Sequence, residues 1–192
     1  MKPQTLCCCG EAICASGASS TLKCECRNEA TPNALLSLLK SQKSDSESPD
    51  TPLESGNEDP QLLISLGFSV PVRLTGLRLR APIGAAKAGE APRRLRIFFN
   101  DPTKSFADAE TDPATDEFDV PEGESFEAGI NFPLKSVRYK CVASLQVFVA
   151  DNGGAPVTKI SELDVFGTPV DNLQMKDWKP VNSEDAIAQN GI

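Results

Sequence analysis

The sequence predicts an all-β domain of the sandwich or barrel type, and three observations carry that reading. Fifteen prolines and thirteen glycines in 192 residues favour many turns over long helices. From Gln61 onward the apolar residues recur with a period of two, in short runs some 8–15 residues apart. A convincing helical pattern occurs near the start alone.

That helix is predicted to begin at Thr31-Pro32. Threonine can cap open amides, and proline suits a first turn because its missing N–H has no partner there anyway. Leu35, Leu36, Leu38 and Leu39 form the apolar stripe, which fades by about Lys43. A polar, acidic loop is expected from Ser44 to Asp59, broken by Pro49, Pro52 and Gly56. Next, Val70, Val72 and Leu74 share one phase and Leu77 and Leu79 the other, so Gly76 marks a bulge or bend in a long strand. Leu95, Ile97 and Phe99 alternate with Arg94, Arg96 and Phe98. Ile130, Phe132 and Leu134 alternate, and Val137, Tyr139 and Cys141 do so in shifted phase. Leu145, Val147 and Val149 give the cleanest strand. It ends at Asp151-Asn152-Gly153-Gly154, which reads as a hairpin turn, before a last pair through Val157, Ile160, Leu163 and Val165. Residues 100–126 read as an acidic, irregular crossover anchored by Phe106 and Phe118.

Composition excludes several functions. The net charge is −8, and the densest cationic stretch, Arg93, Arg94 and Arg96, alternates along a strand as a solvated face would. Nucleic acid, which needs clustered cations to release phosphate counterions, is not the expected partner. The chain has no histidine. That removes histidine-dependent nucleophile activation, the usual general base near neutral pH and the commonest metal ligand. No run approaches the ~20 apolar residues of a membrane span, and the apolar stretch around Leu6–Cys9 is shorter than the roughly 7–15 residues of a secretory core. The expected setting is therefore a reducing one, cytoplasm or nucleus, with the seven cysteines as thiols.

Candidate chemistry is sparse. Cys24 and Cys26 are too close for an unstrained disulfide but form a possible thiol pair. With Cys9 and Cys14 they could in principle hold zinc, although no pair has the two-residue gap of a zinc knuckle. Cys7, Cys8 and Cys9 lie in a Cys-rich, low-complexity stretch, residues 1–23, expected to be a flexible tail. Cys141 is expected to be a buried thiol in a strand. Asp108 with Glu110, or Asp116 with Glu117, are carboxylate pairs whose ordinary place is a solvated loop. Asp151 and Asn152 sit on a turn held by the best strand, where recognition residues tend to lie. Met175 and Trp178, which carries the single tryptophan, either cap the sandwich or form a linear anchor.

Several ordered motifs resemble the PITH family: Cys24-Glu25-Cys26-Arg27-Asn28-Glu29, Asp59-Pro60-Gln61-Leu62-Leu63-Ile64, Ile97-Phe98-Phe99-Asn100 and Phe106-Ala107-Asp108-Ala109-Glu110. Leu145 to Asn152, Phe166-Gly167-Thr168-Pro169-Val170 and Met175-Lys176-Asp177-Trp178-Lys179 complete the series. The resemblance spans residues 24–180, leaving 181–192 as a second, disordered tail. It implies a jelly-roll β-sandwich similar to galactose-binding-like domains, with one short N-terminal helix, no catalytic activity and no cofactor or metal. It also implies a protein partner, the regulatory particle of the 26S proteasome; separately, the chain is expected to be a monomer. No Trp-Cys-x-x-Cys motif is present, so reductase activity is not inherited. Residues 83–92 look like a Gly/Ala-rich insertion near the binding face. Two other readings are a small-ligand or carbohydrate-binding jelly roll and a thiol- or metal-responsive protein built on the N-terminal cysteines.

Overall fold

The computed structural model describes residues 4–6, 24–41, 51–120, 126 and 128–170. Met175 and Trp178, Cys7, Cys8, Cys9 and Cys14, and the segment 181–192 lie outside them. In chain order the elements are β1 (Gln4–Leu6), β2 (Glu25–Arg27), α1 (Ala34–Ser41), β3 (Leu53–Glu54), β4 (Leu62–Arg80) and α2 (Ala85–Ala88). They continue with β5 (Pro92–Phe99), α3 (Phe106–Thr111), β6 (Asp116–Asp119), β7 (Ile130–Pro133), β8 (Val142–Asn152), β9 (Lys159–Ile160) and β10 (Glu162–Pro169).

Strand β4 organises the sandwich by serving both layers. Its first half, Leu62–Gly67, lies between β2 and β8, and β8 continues through β5 to β6. Four residues, 68–71, then intervene before the ladder with β8 resumes at Val72↔Val142. Beyond that break the second half lies between β7 and β10, with β1 on the far side of β10. All of these pairings are antiparallel. The phase switch expected at Gly76 is a bulge. Phe166 faces Gly76 and Gly167 faces Leu74, so Thr75 is the extra residue, and its carbonyl accepts from the Leu134 amide at 3.0 Å.

Alternation places Leu62, Ile64, Leu66, Leu95, Ile97, Leu145, Val147 and Val149 of one layer in a single core. Leu74, Leu77, Leu79, Phe132, Leu163 and Val165 of the other layer join them there. Helix α1 closes the core with Ala34, Leu35, Leu38 and Leu39, while Leu36 is half-exposed. The helix starts later than its proline suggested. Asn33 adopts φ 65°, a left-handed conformation that interrupts the helical backbone, and the Glu29 carboxylate takes the capping role expected of Thr31. It accepts from the amides of Asn33 at 2.6 Å and Leu35 at 3.1 Å.

Four further expectations are corrected. The loop expected from Ser44 to Asp59 contains β3, whose Leu53 is fully buried and pairs with Ile160. Residues 134–141 form no strand: the amides of Arg138 and Tyr139 turn back to the Lys135 carbonyl, leaving Val137 and Cys141 exposed around a buried Tyr139. The irregular crossover at 100–126 holds α3 and β6, so helix is not confined to the N-terminal region. A capping box between Ser105 and Asp108 starts α3.

The fourth correction concerns the Arg93–Arg96 face. Arg94 is exposed and pairs with Asp119 at 2.8 Å, as a solvated cation would. Arg96 instead points its guanidinium at the carbonyls of Ala109, Glu110 and Asp112, ending α3 on the outer face of the sheet. Under that helix Leu63, Phe98, Ala109 and Phe148 make a second small core, with Phe106 edge-on to Phe148 at 5.8 Å.

Candidate docking surface

At one end of the sandwich two loops cross, and the crossing depends on glycine. A Cβ on Gly153 would lie 2.6 Å from the Gly89 Cα, and one on Gly89 would lie 2.9 Å from the Gly153 carbonyl oxygen. The close approach lets the Gly153 amide donate to Gly89 O at 2.8 Å. Next to it the Lys159 amide donates to Glu90 O at 2.8 Å, and the Lys159 ammonium meets the Glu90 carboxylate at 3.0 Å. The Gly/Ala-rich stretch noticed in the sequence is thus one turn of helix, α2, held between Gly84 at φ 83° and Gly89 at φ 77°. Its Ala85 is buried, whereas Ile83 at its entrance is 89% exposed.

The opposing loop is built around Asn152. Its side-chain nitrogen lies within bonding distance of Ala155 O, Val157 O and Thr158 Oγ1 at 2.9–3.1 Å, and its oxygen accepts from the Gly154 amide at 2.9 Å. Thr158 in turn donates its hydroxyl to Pro60 O at 2.6 Å. Asn152 is only 4% exposed. The expectation that it belongs to a partner surface is corrected: it is the scaffold, and Asp151 is the exposed member of the pair. Nor is the turn a hairpin, because β8 leads into β9, which pairs with β3. Asp151 itself closes the turn by accepting from the Asn152 amide at 2.9 Å.

Cys24 and Cys26 pack against the core, half-buried. Burial, and secondarily the charge of Glu29, push the Cys26 thiol well above its ordinary value, and it donates to Arg27 O at 3.7 Å. A reactive thiolate needs the opposite shift. Asn28, at φ 68°, ties the two halves of the sequence motif together by donating to Asp59 O at 2.8 Å and Gln61 O at 2.7 Å. Cys141, expected buried, is exposed.

Of the four candidate carboxylates, Asp108, Asp116 and Glu117 are engaged by neighbours, while Glu110 is exposed. Asp108 accepts from the Ser105 hydroxyl at 2.6 Å, and that bond holds its carboxyl below the ordinary range. Asp116 accepts from Tyr139 Oη at 2.9 Å and meets Arg138 at 3.1 Å. Glu117 lies 3.8 Å from Arg94 and 3.9 Å from Arg96. Among the described residues no three His, Cys, Asp or Glu side chains converge as metal ligands would. What sequence reasoning missed is the loop crossing itself. Small residues at 84–89 and 153–154 were its signal, but their pairing is visible in three dimensions alone.

Comparison with known proteins supplies the frame. The PITH domain family model matches residues 20–185. Thioredoxin-like protein 1 of Schizosaccharomyces pombe is 31% identical over 148 residues, 76% of this chain and 48% of that protein. The PITH domain-containing protein ZK353.9 of Caenorhabditis elegans is 32% identical over 111 residues, 57% of this chain and 49% of that one. The chain thus spans about half the length of the curated relatives it matches. Among solved structures, the family 32 CBM of Clostridium perfringens NanJ in complex with galactose has a TM-score of 0.52 at 10% identity, covering 76% of this chain and 93% of that one. The C-terminal domain of a chitobiase from Bacteroides fragilis has a TM-score of 0.50 at 18% identity, covering 79% and 96%. These likenesses establish a galactose-binding-like jelly-roll fold.

Proposed function

The chain belongs to the PITH domain family, and we propose that it is a non-catalytic docking module that attaches to the regulatory particle of the 26S proteasome, in the cytoplasm, with the nucleus as a second setting. The observation that carries this reading is the pinned loop crossing, which displays Asp151 and the apolar Ile83 on backbones that need no reordering to bind. Met175 and Trp178 belong to the same proposal as a second contact, an aromatic anchor reached through the C-terminal segment. Asp108, Asp116 and Glu117 are engaged with their neighbours, and Cys24 and Cys26 pack against the core.

The carbohydrate reading shares the fold with these solved structures and has little else in its favour. The single tyrosine is fully buried, so it offers no stacking platform for a sugar ring.

The test is binding of the tagged chain to purified 26S proteasome at low salt. The unaltered chain is expected to co-purify with the regulatory particle. Asp151→Lys and Ile83→Asp, both on exposed positions, are each expected to weaken recovery about tenfold, as loss of an interface anchor does. Trp178→Ala is expected to weaken it separately. Failure of the unaltered chain to bind overturns the reading.

A further inference from the structure

Strand β10 lies at the border of its layer, between β4 and the three-residue strand β1. The pairing is Gln4↔Gly167, Thr5↔Phe166 and Leu6↔Val165. Residues 4–6 fall outside the part of the chain that matches the family model, 20–185, so the domain proper ends at β10 along this stretch. An unpaired edge exposes a row of amides and carbonyls that template another strand. Here the chain's own residues 4–6 satisfy that row, and residues 7–24 separate them from β2. A strand three residues long contributes few backbone bonds, each with a modest net gain, so it detaches at small cost.

We propose that the Val165–Gly167 edge of β10 is a strand-addition site for an extended segment of a protein partner, and that residues 4–6 occupy it in cis as a displaceable strap. The geometry defines the ligand. The segment runs antiparallel to β10 and bonds through its backbone. Val165 and Gly167 are buried on the core side while Phe166 is half-buried on the other. Side chains directly opposite one another share a face. The incoming residues in register with Val165 and Gly167 therefore face the core and favour apolar, β-branched types, with a polar residue between them. The site lies on the side of the sandwich and acts independently of the loop crossing.

The test uses the full chain and a blocked heptapeptide, Lys-Thr-Val-Thr-Val-Thr-Lys. A Thr5→Pro/Leu6→Pro double variant releases the strap: consecutive residues of an antiparallel strand point their amides in opposite directions, so one of the two prolines removes a facing donor. Hydrogen exchange at Val165–Gly167 should accelerate in that variant, while Ile64 and Val147 in the core stay protected. The peptide should bind the variant about tenfold more tightly than the unaltered chain, because the competing cis strand is gone, and should restore protection at Val165–Gly167. A peptide with proline at its central threonine and at the following valine should not bind. Equal exchange in both proteins, or no peptide binding to the variant, overturns the proposal. So does concentration-dependent dimerisation of the variant without peptide binding, which would assign the edge to a second copy of the chain. Proteasome recovery should be unchanged by the double proline, which separates failure of this inference from failure of the docking reading.

Discussion

The two faces of the layer formed by β2, β4, β8, β5 and β6 are buried by different means. The inner face is covered by the other layer of the sandwich, and Leu62, Ile64, Leu95, Ile97, Val147 and Val149 are all wholly buried there without a polar partner. The outer face has one six-residue helix over Leu63, Phe98 and Phe148. A helix that short has little stability of its own. It is held down by cations: Arg96 at its C-terminal carbonyls, and Lys104, 8% exposed, bridging Asp112 at 2.8 Å and Asp101 at 3.0 Å with its ammonium 4.7 Å above the Phe98 ring. The inner face rests on apolar area, the outer face on a few directed bonds. The outer face is therefore expected to open first, an order that hydrogen exchange reads directly.

Removing core volume tests the first half of that contrast and has the largest expected effect. Leu95→Ala should lower the unfolding free energy by about 2–5 kcal/mol, read from urea melts, with the transition remaining a single one. Arg96→Met keeps the aliphatic stem but removes the donors to three carbonyls, and should cost about 1.5–3 kcal/mol. Its signature is local: exchange at residues 106–112 should accelerate more than exchange at Val147. If both regions change together, the outer face is no separate unit. Lys104→Met should cost roughly 0–1 kcal/mol, because the partner carboxylates of Asp101 and Asp112 are half-exposed and regain water.

A further effect, of opposite sign, concerns the outer face of the other layer. Asp164 has its carboxyl raised to about 6, chiefly by burial and then by neighbouring Glu162, against the opposing pull of Arg78 and Arg80. A carboxyl that holds its proton more tightly folded than unfolded makes stability fall as pH rises from about 4, its ordinary range, to about 6. Asp164→Asn should therefore raise the melting temperature at pH 7.5, and the gain should vanish near pH 3.5. A gain of equal size at both pH values would mean that packing, not charge, sets the effect.

Much of the inner face was legible because two-residue alternation depends on neighbours in sequence. Leu95/Ile97, Leu145/Val147/Val149 and the phase switch at Gly76 all read correctly for that reason. The same rule misled at Val137, Tyr139 and Cys141, where a turn on Lys135 produces the spacing of a strand without its partners. Arg96 looked like one more solvated arginine, since what distinguishes it from Arg94 is a helix that begins ten residues later. At Asp151-Asn152 the turn residues were plain, but which of the two faces solvent was not.

By itself the sequence determined the class of fold, the inward-facing residues of the central strands and the family, because periodicity and motif order are properties of the chain. Only the tertiary structure decided that β4 serves both layers, that α3 is latched by Arg96 and Lys104, and that Gly89 meets Gly153. Each of these joins positions far apart in the chain, and local preference carries no information about which distant backbone will arrive.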